Sequence, residues 1–362
     1  MNRSVLTRAA VTGVAIAALA VAGCSSSSDP NPDPSGSGDS NPYASLSGTL
    51  DASGASFPNN YYQAAIEAFA EVAPDLEITY RSTGSGTGKR EFGEGLTAFA
   101  GTDSTVKEGD GPEEGSYLYV PTVAASITVS YNLSEVPDLQ LSPSTLAKIF
   151  SRTITRWDAA EIAADNPDAT LPAKDIVVVR RSDGSGTTNN FTKYLVAAGG
   201  SAWTLGSGDT VEWPADTQAG DRNTGVAQII QQTDGAIGYV DFADATASGL
   251  TFAAIQNADG NYVAPTLEAT TAALAGATLN DDLTYNPLNA PGAHSYPITA
   301  PTYILVRPTY DDPEVGAAVK GFLTWLLSDP VSIEIAHEEG YATLPDSIRQ
   351  KALAQIESVT VG

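Results

Sequence analysis

Past residue 45 the chain alternates short β-rich apolar runs with apolar positions at helical spacing. Ile176-Val177-Val178-Val179 is an unbroken run of branched residues, the pattern of a strand buried on both faces of a parallel sheet. Leu76-Glu77-Ile78-Thr79-Tyr80 alternates apolar with polar positions and predicts a second strand. Tyr62, Ala65, Ile66 and Phe69 recur at helical spacing, as do Val315, Ala318, Val319, Phe322 and Leu326. Asp311-Asp312-Pro313 supplies a cap and first turn for the second set. Strands alternating with helices in this way predict an α/β fold. No repeat at a solenoid period and no second low-complexity break interrupts residues 47–362, so one compact unit is expected there.

The first residues follow another pattern. Arg3 and Arg8 precede an apolar run from Ala9 to Gly23, about 15 residues, shorter than the roughly 20 that a spanning helix needs and of the size of a signal-peptide core. The run ends in Val21-Ala22-Gly23-Cys24, which resembles the lipobox of bacterial lipoproteins and holds the only cysteine in the chain. Residues 1–23 are therefore expected to be a lipoprotein signal peptide, and lipid on Cys24 is expected to attach the body to the outer face of the cell membrane. Ser25 to Pro42 contains only Ser, Asp, Asn, Pro and Gly and cannot offset its ordering entropy by burial. Residues 24–46 are accordingly expected to be a disordered tether.

Three junctions between a strand and a helix are built from small residues. They read Ser53-Gly54-Ala55-Ser56-Phe57-Pro58, Ser82-Thr83-Gly84-Ser85-Gly86-Thr87-Gly88-Lys89 and Arg181-Ser182-Asp183-Gly184-Ser185-Gly186-Thr187-Thr188. Glycine admits close approach of the backbone to a ligand, hydroxyls add donors, and the first turn of the following helix adds N–H groups and a positive dipole end. In open α/β sheets such loops lie at the carboxyl ends of strands, where ligands bind. An anion site follows.

Charge and composition narrow the chemistry. With 18 basic and 43 acidic residues the net charge is −25, and −27 without residues 1–23, so a polyanion such as nucleic acid would be repelled. One cysteine excludes an intrachain disulfide or a thiolate cluster, and two isolated histidines, His294 and His337, offer little for a metal. Thr83 and Arg90 stand where a nucleotide P-loop needs Gly and Ser or Thr. Neither Ser85 nor Ser185 has the Gly-x-Ser-x-Gly setting of a hydrolase nucleophile. The acids Glu108, Asp110, Glu113 and Glu114 lack calcium-loop spacing and read as a solvated loop. No enzymatic activity, metal or cofactor is expected, and the chain is expected to be monomeric.

The run from Val179 to Thr192 resembles the signature of the phosphate-binding lipoproteins that feed high-affinity bacterial phosphate ABC transporters. Gly54-Ala55-Ser56-Phe57-Pro58, Pro121-Thr122-Val123-Ala124, Tyr131-Asn132-Leu133, Ile154-Thr155-Arg156-Trp157, Gly235-Ala236-Ile237-Gly238-Tyr239-Val240 and Tyr296-Pro297-Ile298 extend the resemblance, in order, over residues 48–360. It implies a two-lobed periplasmic-binding-protein fold (type II) that closes over one inorganic phosphate, with chain crossings near 122–128 and 296–301. Lobe 1 would hold 48–124 plus 300–362, and lobe 2 would hold 125–299. It also implies phosphate contacts from Ala55, Ser56, Phe57, Ser85, Asp103, Arg181, Ser185, Gly186 and Thr187, with Asp183 paired to Arg181, and a permease as partner. Ser56 replaces the threonine common in the family, and Thr102 stands where serine is usual. For Asp103 a structural role as a helix or turn cap stays open.

An acid in an anion site has a chemical meaning. Phosphate near neutral pH keeps an O–H that Asp103 can accept, whereas sulfate keeps none. Sites built to bond a ligand O–H reject the analogue lacking it by roughly 10⁴ to 10⁵, so phosphate is the expected ligand. Two other readings remain: a surface phosphate sensor or adhesin on the same fold, and a secreted phosphate-ester hydrolase, for which no nucleophile with its base is visible.

Overall fold

Residues 41–362 are described by a computed structural model of the chain. The expected signal peptide, Cys24 and most of the expected tether lie outside these residues. Residues 41–46 of the expected tether are corrected: they pack on the body. Asn41 Nδ2 donates to Val72 O at 2.6 Å, the Tyr43 ring meets Phe69 edge-on at 5.4 Å, and Leu46 lies against Gly321. Tyr43 and Leu46 are the first large apolar side chains after the Ser/Pro/Gly run, and partly burying them offsets an ordering cost that the run cannot.

Eight of the ten strands of the main sheet form its continuous path: β1 (Ser47–Gly54), β2 (Asp75–Ser82), β3 (Phe99–Thr102), β4 (Leu118–Tyr131), β5 (Val177–Arg181), β6 (Gln218–Gly220), β7 (Ala236–Asp241) and β8 (Thr299–Val306). Their order is β2-β1-β3-β8-β4-β7-β5-β6. Neighbours β1–β2, β1–β3, β5–β6 and β5–β7 are parallel, while β4 and β8 run antiparallel to what they touch. The helices that matter for the site are α1 (Asn59–Val72), α2 (Ser85–Gly93), α3 (Gly186–Ala198), α4 (Arg222–Gln232) and α5 (Pro313–Ser328).

The sequence patterns account for most of these elements. Tyr62, Ala65 and Phe69 form the buried stripe of α1, and Asp312 Oδ1 accepts the amides of Glu314 and Val315 at 2.9 and 3.3 Å to start α5 at Pro313. Every residue of β4 after Leu118 is buried, as a strand covered on both faces requires. This strand also joins the two halves of the sheet. It pairs with β8 from Leu118 to Ser126 and with β7 from Ile127 to Tyr131. The partner change between Ser126 and Ile127 leaves one half built on β1–β3 and the other on β5–β7. The carboxyl ends of β1, β2, β3, β5 and β6 all deliver loops to the seam between these halves.

Candidate functional site

At the end of β1, Gly54 has φ +143°, and a Cβ there would fall 2.1 Å from Gly101 O. Only glycine lets β1 and β3 approach this closely. Gly54 O accepts the amides of Thr83 and Gly84 at 2.9 and 2.8 Å, which ties the first junction to the second. Ala55 donates its amide to Gly101 O at 2.9 Å and accepts Tyr80 Oη on its carbonyl at 2.7 Å. The expected contact between Ala55 and the anion is therefore corrected: both of its polar groups are committed to the scaffold. Ser56 turns its hydroxyl into the seam, and the buried Phe57 has its carbonyl held by Tyr341 Oη at 2.6 Å.

In the second junction Gly84 adopts φ +88° and Ser85 becomes the first residue of α2. Ser85 Oγ accepts the amides of Asp103 at 3.2 Å and Gly186 at 3.1 Å, and lies 3.5 Å from Asp103 Oδ2. Asp103 follows β3 and is 2% exposed, with Thr302 Oγ1 donating to its Oδ1 at 2.8 Å. Its carboxylate meets hydroxyls of other segments, not the amides that a cap would hold. Burial pushes this carboxyl up to about 7, against the Thr302 hydrogen bond and the Arg181 charge, with the Asp209 charge adding to the rise.

The third junction supplies the cation. Arg181 ends β5 and is buried; Nε donates to Asp183 Oδ1 at 2.7 Å, Nη2 is paired with Asp183 Oδ2, and Nη1 reaches Asn223 Oδ1 at 3.2 Å and Thr187 Oγ1 at 3.4 Å. Burial works against ionisation of Asp183, but the hydrogen bond and charge of Arg181 and the Arg222 amide outweigh it and hold its carboxyl below the usual range. Asp183 thus fixes the guanidinium. Ser185 is the N-cap of α3, with Oγ accepting Thr188 N at 3.0 Å. Gly186 and Thr187 stand in the first helical turn, where an amide has no carbonyl four residues back inside the helix.

The halves meet directly here. Gly86 N donates to Gly184 O at 3.0 Å, Asn190 Nδ2 to Asp103 O at 2.5 Å, and Asn223 Nδ2 to Ser56 Oγ at 3.2 Å. Beside them the buried Lys89 binds Asp110 at 2.7 Å and Asp209 at 3.0 Å, and Ser104 Oγ donates to Asp209 at 3.1 Å. Asp110 therefore anchors a buried cation, although its loop reads as solvated. Of the expected residues, Ser56, Ser85, Asp103, Arg181, Asp183, Ser185, Gly186 and Thr187 converge on one buried locus, and Phe57 adjoins it.

Four residues at this locus escape a reading of the sequence: Asn223, Thr302, Asn190 and the pair partner Asp209. Asn223 belongs to a fourth strand-to-helix junction, Gly220-Asp221-Arg222-Asn223, whose strand of three residues is too short to register and whose loop has no serine. Among the described residues no group of three or more His, Cys, Asp or Glu could hold a metal ion, and no helix is long and apolar enough to cross a membrane. The arrangement gathers hydroxyls, first-turn amides and one guanidinium around a single buried acceptor. Its chemistry is that of holding a small oxyanion that carries one O–H.

Known proteins resemble the chain in the same sense. A family model described as a PBP superfamily domain matches residues 39–330. The phosphate-binding protein PstS of Methanocaldococcus jannaschii is 34% identical over 342 residues, covering 86% of each chain. PstS 3 of Mycobacterium tuberculosis is 36% identical over 326 residues, again 86% of each. Among solved structures, a high affinity periplasmic phosphate-binding protein bound with phosphate superimposes with a TM-score of 0.69 at 23% identity, over 85% of this chain and 93% of its own. A putative phosphate ABC transporter substrate-binding protein from Clostridium perfringens does so at 0.61 and 20% identity, over 82% and 100%. At these identities the structural likeness speaks for the fold.

Proposed function

This chain belongs to the PBP superfamily and, within it, to the PstS phosphate-binding proteins, and from that premise we propose that it captures inorganic phosphate outside the cytoplasm and delivers it to the permease of an ABC transporter. It binds without turning its ligand over. The observation that carries the reading is the one acceptor among many donors: Asp103, buried, facing Ser85 and Gly186 and within the field of the Arg181 charge. Phosphate suits this set because it presents acceptor oxygens and one O–H together.

In this proposal Ser56, Phe57, Ser85, Arg181, Ser185 and Thr187 donate to the anion through hydroxyl, guanidinium or main-chain N–H, Asp103 accepts its proton, and Gly186, whose amide is held by Ser85 Oγ, gives the backbone its close approach. Asp183 and Ala55 hold the donors in place. Lobe 1 comprises 48–124 plus 300–362 and lobe 2 comprises 125–299, with phosphate drawing them together about β4 and β8. Lipid on Cys24 keeps the monomeric body at the membrane after removal of residues 1–23. Titration calorimetry with phosphate, arsenate and sulfate tests the reading. Binding of phosphate and arsenate with sulfate excluded is expected; equal affinity for sulfate, or no heat with phosphate, overturns it. Membrane fractionation of Cys24→Ser tests the anchor, and an unchanged membrane fraction would remove it.

A further inference from the structure

We propose that Asn223 is a positioning residue that commits the hydroxyls of Ser56 and Thr187 to donate toward the anion. The inference rests on the phosphate reading above and adds a residue to its mechanism. A hydroxyl has one hydrogen and two lone pairs and rotates to donate or accept as its surroundings demand. Left to itself, such a group near an anion can spend its hydrogen on a neighbouring protein oxygen. Thr187 Oγ1 is denied that choice. It receives Arg181 Nη1 at 3.4 Å and Asn223 Nδ2 at 3.2 Å, so N–H groups that cannot accept occupy both lone pairs and only the hydrogen remains to be placed. Ser56 Oγ receives the Asn223 amide as well, at 3.2 Å.

The amide's own orientation is set by its third partner. Arg181 Nη1, which can only donate, points at Asn223 Oδ1 from 3.2 Å, so the oxygen must face the guanidinium and the two N–H bonds must face the two hydroxyls. Asn223 is fully buried. Its place depends on Arg222, which adopts φ +59° and whose amide is held by Asp183 Oδ1 at 3.1 Å; a left-handed conformation at an arginine is uncommon. Asp183 thus aims the guanidinium with its carboxylate and helps set the start of α4 through the same oxygen. Ser85 has its lone pairs filled in the same way by the amides of Asp103 and Gly186. Thr187 thus keeps only its hydrogen to place, Ser56 has one lone pair filled by the same amide, and the Ser85 hydrogen is turned toward Asp103 Oδ2 at 3.5 Å.

A mutant cycle separates this role from simple packing. Asn223→Leu keeps the volume and removes the amide, and it is compared in two backgrounds: the native chain and Ser56→Ala/Thr187→Val, which lacks both hydroxyls. In the native background phosphate affinity should fall by about one order of magnitude for each hydroxyl released, the size of a hydrogen bond to a charged group. In the hydroxyl-free background the same substitution should cost less than about threefold, because there is nothing left to orient. Whatever Asn223→Leu does to Arg181 or to packing it does in both backgrounds. An equal loss in the two overturns the assignment and leaves Asn223 as a structural residue. Thermal unfolding without phosphate checks that each variant folds, and Asn223→Ala runs the same cycle should the leucine not be accommodated. Failure of the native chain itself to bind phosphate would instead overturn the ligand reading, and this assignment with it.

Discussion

Residues 83–87 and 183–187 read Thr-Gly-Ser-Gly-Thr and Asp-Gly-Ser-Gly-Thr, and each joins a parallel strand to a helix. The two strings even touch, through Gly86 N to Gly184 O and Gly186 N to Ser85 Oγ. Yet their helices start one residue apart. Gly84, at φ +88°, stands at the N-cap of α2 and puts Ser85 in the first turn, whereas Ser185 is itself the cap of α3 at φ −126°. In consequence the oxygen of Ser85 accepts amides from distant segments, and that of Ser185 accepts an amide of its own helix. The electrostatic settings differ as well. Asp103 lies against both strings, at Ser85 and at Gly186, but only the second carries an acid of its own, Asp183, which holds Arg181. The same Gly-Ser-Gly-Thr run thus serves assembly of the closed site on one side and local helix formation on the other.

Removing the electrostatic contrast should have the largest effect. Asp103→Asn replaces the acceptor by a group that can donate, so sulfate binding should emerge and the phosphate-to-sulfate affinity ratio should fall by up to roughly 10⁴, read by calorimetry. An unchanged ratio would make Asp103 structural, and Asp183 the next acceptor to test. Arg181→Ala is the control, since loss of the guanidinium should weaken both anions alike.

Steric contrast comes next. A Cβ on Gly186 would lie 2.6 Å from both Asp103 Cβ and Ser85 Oγ, whereas one on Gly86 would meet Gly184 Cα at 3.2 Å. Gly186→Ala should therefore hold the halves apart and cost phosphate affinity about 100-fold, the upper end of what overpacking implies at tenfold per 1.4 kcal/mol. Gly86→Ala should cost less than about tenfold on the same scale. Equal losses would show that the junctions are not distinguished by close approach.

The serines give a finer test. Ser85→Ala should diminish the rise in melting temperature that phosphate produces while leaving the ligand-free value nearly unchanged, because its acceptor role joins segments that meet on closure. Ser185→Ala should lower the ligand-free melting temperature by about 2 °C, as loss of an N-cap near 1 kcal/mol implies for a body of this size. Calorimetric scans with and without phosphate decide, and identical behaviour of the two variants would erase the contrast.

The smallest effect is one of pH. The Asp103 carboxyl is raised to about 7 from the ordinary carboxylate value, so the native state binds more protons than the unfolded chain between those limits. Stability of the ligand-free protein should accordingly fall as pH rises through that window, and Asp103→Asn should flatten the dependence. Protonation should also relax discrimination against sulfate below pH 7. A pH series of sulfate competition checks it.

The sequence by itself determined the α/β class, the helical stripes on Tyr62, Ala65 and Phe69 and on Val315 to Leu326, the cap at Asp312, and the three small-residue junctions that carry most of the site. These are legible because periodicity, capping chemistry and glycine each act over a few neighbouring residues. The tertiary structure alone decided that Ala55 is scaffold, that Tyr43 and Leu46 belong to the body, and that Asn223, Thr302, Asn190 and the Lys89–Asp209 pair complete the site. It also decided which serine caps its helix. Those outcomes depend on which lone pair meets which donor across separations of 18 to 200 residues, and a polar residue without glycine or periodicity around it carries no local mark of the partner it will find.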